Sequence, residues 1–135
     1  VIRRLALPLP LLSGLLLGCE PSLSALTVSP VGTQAELDSH EETITLTKGI
    51  ALGFHCTYNG RACENATAEV EHAAVATVYP AYVDMLSRSE TDYRRNVSTT
   101  PRSVFVIVGS DVGATTLTLR TDDGDLDFAV DIVDR

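Results

Sequence analysis

Residues 113–133 read GATTLTLRTDDGDLDFAVDIV, and this stretch decides the fold. Leu117 and Leu119 stand between threonines, and Leu126, Phe128, Val130 and Ile132 repeat at every second position with Asp127 and Asp131 opposite. A period of two puts one side chain set on a buried face and the other in water, as in a half-buried strand. The aspartates and glycine between the two runs carry turn chemistry, so the stretch predicts a β-hairpin.

The same pattern extends toward the N-terminus. In 43–47 (TITLT) Ile44 and Leu46 share a face, and Ile50, Leu52 and Phe54 continue the alternation toward Cys56. In 66–72 Ala66, Ala68, Val70 and His72 share a register, with Thr67, Glu69 and Glu71 between them. Residues 104–108 (VFVIV) are apolar on both faces, which suits a central strand. Short runs separated by Gly and Asp turns, with no sustained 3.6-residue period, predict an all-β antiparallel sandwich.

Asn59-Gly60 is a strong two-residue turn signal, because a type I′ turn needs positive φ at both positions. Counting outward pairs Tyr58 with Arg61, Thr57 with Ala62 and Cys56 with Cys63, at a separation a disulfide can span. The rival reading is a metal site with His55, for which no fourth ligand stands nearby. A second question stays open from spacing alone. The pair either closes a flat hairpin or pins a loop that crosses between sheets.

Far upstream, Arg3 and Arg4 precede a leucine-rich run of about 13 residues that ends in Leu16-Leu17-Gly18-Cys19. The run is shorter than the roughly 20 residues a spanning helix needs, and Pro8 and Pro10 interrupt it. Basic start, apolar middle and small residue before the cut predict a secretory signal over 1–18. The LLGC motif resembles the lipobox of bacterial lipoproteins, which implies that Cys19 becomes the lipid-modified first residue. Residues 19–25 are then a lipidated cysteine and short tether, and 26–135 the domain. Glu20 is not the aspartate that retains many such lipoproteins at the inner membrane, so the resemblance favours the outer membrane. With Cys19 assigned to lipid, the remaining even pair of cysteines fits an oxidising compartment.

The predicted exported chain keeps about eight basic side chains against 18 acidic ones, a net charge near −10. That balance argues against nucleic acid, which needs a basic footprint, and against attraction to anionic lipid heads. Residues 44–49, Leu52, 75–78 and above all 107–119 with the closing strand resemble the group-2 bacterial immunoglobulin-like domains. The resemblance covers roughly 25–134 and implies a seven-stranded, usually non-catalytic sandwich of surface proteins. The chain departs from the family pattern by having no Trp, with Ala68 in its place, by a first strand split by an extra segment near 30–42, and by a longer insertion near 80–102.

No catalytic motif stands out. His40, His55 and His72 are scattered, and neither a nucleophile elbow nor a phosphate loop is present. No cofactor and no metal are expected. The acidic run Asp122-Asp123-Gly124-Asp125-Leu126-Asp127 lacks the EF-hand spacing, and a hairpin turn accounts for it better than calcium. The expected function is therefore a lipid-anchored envelope module that binds a protein or glycan, or else an accessory subunit of an envelope assembly. Its candidate partner-binding residues are Tyr82, Arg88, Tyr93, Arg94, Arg95 and Arg102. The four arginines are half of the remaining basic residues, and Tyr with Arg is the composition that interface hot spots favour.

Overall fold

The computed structural model describes residues 19–81 and 103–135. The described chain forms ten strands and no helix: β1 (Ser22–Ala25), β2 (Ala35–Asp38), β3 (Thr43–Thr47), β4 (Ala51–Tyr58), β5 (Arg61–Ala62), β6 (Thr67–Val70), β7 (Ala76–Ala81), β8 (Ser103–Gly109), β9 (Gly113–Thr121) and β10 (Gly124–Val133). They form two five-stranded sheets. The first runs β1-β4-β8-β7, with β5 also paired to β4, and the second runs β2-β3-β10-β9-β6.

The two sheets face each other across one core. Ile44, Leu46, Leu52, Phe54, Ile107, Leu117, Leu119, Phe128, Val130 and Ile132 are all buried, and Phe54 stacks on Phe105 at 5.7 Å between ring centroids. Alternation thus does what the sequence pattern requires. In β10 Leu126, Phe128, Val130 and Ile132 turn inward and Asp125, Asp127 and Asp131 outward. The VFVIV run lies in β8, between β4 and β7, where a strand apolar on both faces belongs.

Several details depart from the sequence reading. Strand β1 starts inside the expected tether, because Leu23 is buried to 1% exposure and pairs with Cys56. The first strand is split, as expected, but the break falls over 26–34 and its second half, inside the segment near 30–42, changes sheet. The chain leaves the first sheet after Ala25, crosses over 26–34, and enters the second sheet as β2, with Ala35 buried. One ladder is parallel, β3 beside β10 from Thr43↔Ala129 to Thr47↔Val133, so the second sheet is mixed. The β9–β10 turn is centred on Asp122-Asp123 instead of Asp-Gly. Gly124 at φ 137 opens β10 opposite Thr121, and the Thr121 hydroxyl donates to the Gly124 carbonyl at 2.8 Å. Strand β6 stops at Val70, so His72 lies beyond the strand and exposed rather than on its apolar register.

Candidate functional site

The best-defined cluster of polar side chains closes one end of the sandwich, here the near pole, where β1 begins and where β4 meets β5 and β9 meets β10. Asn59 at φ 49 and Gly60 at φ 75 make the expected turn, and Tyr58↔Arg61 and Thr57↔Ala62 are in the expected register. Cys56 and Cys63 are disulfide-bonded, with Cα atoms 5.5 Å apart and the Cys63 amide donating to the Cys56 carbonyl. That separation is the one expected of a hydrogen-bonded antiparallel pair. The bridge therefore closes a hairpin within one sheet, and the chain crosses to the other sheet only afterwards, between Cys63 and Thr67.

Charged and amide side chains then tie this hairpin to the second sheet. The Arg61 guanidinium bonds to Glu64 and reaches Asp123 Oδ1 at 3.2 Å, while lying 5.6 Å from the centre of the Tyr58 ring. The Glu64 amide donates to Asp123 Oδ2 at 3.2 Å, and Asn65 Nδ2 donates to Asp122 Oδ2 at 2.6 Å. The Asp122 amide returns a bond to the Glu64 carbonyl at 3.0 Å. Asp123 is only 10% exposed, so its two contacts are the least screened of the set. Asp127 accepts from Thr118 at 2.7 Å on the outer face. The carboxylates of Asp122, Asp123 and Asp127 thus have separate partners instead of converging on one point. Among the described residues no group of three His, Cys, Asp or Glu is placed to hold a metal.

A shallow groove of about 260 Å³ lies beside this hairpin, lined by His55, Cys56, Thr57, Gly60, Arg61 and Ala62. Its chemistry is limited. Cys56 is in the disulfide, Arg61 is engaged with two carboxylates, and the Thr57 hydroxyl lies 3.2 Å from that of Ser22. The volume is below the range of about 300–1,000 Å³ typical of small-molecule sites. The three histidines sit on separate elements: His40 in the β2–β3 turn, His55 in β4 and His72 after β6.

Two further charged contacts order turns elsewhere. Asp38 Oδ1 accepts from the Glu41 and His40 amides, which holds its carboxyl below the ordinary value of 3.8. The Lys48 ammonium bonds to Asp111 at 2.8 Å, lowering the Asp111 carboxyl and raising the lysine.

The outer faces of the two sheets differ in charge. On the second sheet Glu36, Asp38, Glu69, Asp125, Asp127 and Asp131 point to solvent among threonines, with Arg120 among them. On the first, the outward positions of β4, β8 and β7 are Ala51, Gly53, His55 and Thr57, then Val104, Val106 and Val108, then Thr77, Tyr79 and Ala81. None carries a carboxylate, lysine or arginine. Next to them, residues 26–35 are also uncharged and present Val28 at 92% and Val31 at 99% exposure. This loop is well pinned: the Ser29 hydroxyl accepts from the Ala35 amide at 2.7 Å, and Gln34 and Thr47 exchange bonds. Sequence reasoning missed it, although a ten-residue uncharged run in so acidic a chain was a visible signal.

Cys19 is exposed and takes no part in the disulfide. Pro21 is already buried against the β9–β10 turn, and Ser22 pairs with Thr57, so Cys19 belongs to the near pole. Residues 1–18, Tyr82, Arg88, Tyr93, Arg94, Arg95 and Arg102 lie outside the described residues. The positions that flank the latter group, Ala81 and Ser103, are at the near pole as well.

No protein-family model and no curated protein matches the chain. Among solved structures it is similar to domains 4 and 5 of the S-layer protein SbsC, at 14% identity and TM-score 0.45 over 84% of this chain and 54% of that one. Domains 4–9 of SbsC overlap 92% of this chain and 23% of theirs, at 14% identity and TM-score 0.46. The chain thus spans about half, or less, of the structures it matches. At this level of similarity, function has to be read from the chain's own residues.

Proposed function

We propose that this chain is a bacterial envelope lipoprotein. Its lipid-modified Cys19 holds a non-catalytic immunoglobulin-like sandwich at the membrane, where the sandwich binds a protein or glycan. The observation that carries the reading is the fate of the three cysteines. Cys56 and Cys63 are buried and bridged, whereas Cys19, at the end of the LLGC motif, is exposed ahead of the first strand. A structural disulfide fits an oxidising, extracytoplasmic setting. The motif's place after a basic and apolar run fits export and lipidation. Each buried methylene contributes about 0.8 kcal/mol, so two or more acyl chains would hold the domain stably.

The exposed Val28 and Val31 of the uncharged 26–35 loop favour a second reading, an accessory subunit docked in a larger envelope assembly, since exposed apolar surface marks interaction sites. Outer-membrane residence belongs to the proposal and rests on Glu20.

Replacing Cys19→Ser tests the anchor. The expected result is a product that no longer incorporates palmitate and no longer sediments with membrane. If the variant still labels and still sediments, the lipid reading is wrong. Protease shaving of intact cells, followed by affinity capture with the soluble domain, separates a surface-exposed binder from a periplasmic subunit.

A further inference from the structure

We infer that the domain stands directly on the membrane surface with its near pole facing the lipid headgroups, and presents the opposite pole outward. This deepens the lipid-anchor reading and rests on it. The reason is that the structure leaves no spacer. Pro21 is buried against Gly124, where a side chain at that glycine would meet the proline ring at 3.2 Å, and Ser22 is already in the β1–β4 ladder. Three residues of fully extended chain reach about 10 Å. A lipid on Cys19 therefore cannot lift the sandwich by more than roughly the depth of a headgroup layer.

Strand direction fixes which residues face which way. Thr57, Tyr58 and the β9–β10 turn lie beside the anchor. At the other end, together with the β8–β9 turn, the Lys48 amide donates to the Val133 carbonyl and the Gly49 amide to the Gly109 carbonyl. The ten residues of β10 at about 3.4 Å each span roughly 30 Å between the poles. The pinned loop that displays Val28 and Val31 leads to the far end, since Gln34 bonds to Thr47 there. The far end thus presents this uncharged loop and the β8–β9 turn above the membrane, and the disulfide hairpin is turned away from it.

The chain contains no tryptophan, so a single introduced one reports alone. Asp125→Trp places the probe on an exposed strand position beside the anchor, and Val31→Trp places it on the outward loop. The lipidated proteins are reconstituted into phosphatidylcholine vesicles in which some lipids carry a nitroxide headgroup. Asp125→Trp is expected to lose most of its emission and Val31→Trp to keep nearly all of it. Thr57→Trp, at the same end on the other sheet, repeats the near-pole measurement if Asp125→Trp fails to fold. Protein that floats with vesicles yet shows equal quenching at both ends overturns the orientation and leaves the anchor standing. Protein that carries no lipid on Cys19 and does not float overturns both.

Discussion

Removing the Cys56–Cys63 bridge, by Cys56→Ala with Cys63→Ala, perturbs the near pole at one defined point. The bridged residues are seven apart in sequence, and for so small a loop the chain-entropy model gives about 2.5 kcal/mol. Two features of the structure bear on that figure. Asn59-Gly60 already favours the turn in the unfolded chain, which lowers the gain from closing the loop. Both cysteines are buried, at 1% and 4% exposure, so truncation also removes packing, which raises the cost. The two corrections oppose each other, and about 2.5 kcal/mol is the expected loss. Over about 115 residues, ~2.1 cal/mol/K per residue gives an unfolding entropy of ~0.24 kcal/mol/K, so Tm falls by about 10 °C. The assay is thermal unfolding of the soluble domain, with oxidised wild type, reduced wild type and the double variant side by side. Both should lower Tm, reduction through the loop-closure part alone and substitution through the packing loss as well. If both stay within about 2 °C of the oxidised protein, the turn and the Arg61 contacts hold the hairpin without the bridge, and the loop-entropy argument fails.

Asp123→Ala should cost about 1–2 kcal/mol in urea unfolding, because it strands the Glu64 amide and one arm of Arg61 near a carboxylate site that is largely buried. Arg61→Ala, half exposed, should cost less, and equal midpoints for Asp123→Ala and wild type would remove the clamp from the account. The carboxyls of Asp38 and Asp111 titrate below their unfolded value of 3.8, so their contribution is present above that pH and is lost as pH falls through the folded value. The stability gap between wild type and Asp38→Ala should accordingly narrow in acid, and a gap that is constant from neutral pH down through acid unfolding would contradict the turn geometry. Lys48 has the opposite sign: its raised value adds stability below 10.5 that disappears as pH rises through the folded value. Truncating Tyr93, Arg94 and Arg95 together to Ala should leave stability within about 0.5 kcal/mol and reduce partner capture in pull-downs. Equal capture by both proteins would move the binding surface elsewhere.

What the sequence by itself determined was local. A two-residue period sorted the inward and outward side chains of β3, β4, β6, β9 and β10, because alternation is a property of the extended backbone and needs no partner. Asn59-Gly60 set the hairpin register and with it the cysteine pair, because a type I′ turn prescribes φ at both positions. Pairing between distant strands was decided only by the tertiary structure. A period of two says which face is buried and not which neighbour completes the ladder, so the parallel contact of β3 with β10 was not legible. The split of the first strand was legible, but its transfer between sheets over 26–34 was not. Leu23 looked like part of a tether because SLSA is too short to show a pattern, and only the edge of β4 makes it a strand. The near-pole cluster followed the same rule. Arg61 and Asp123 lie 62 residues apart, and it takes the closing of two sheets over one core to bring a turn from each within hydrogen-bond reach.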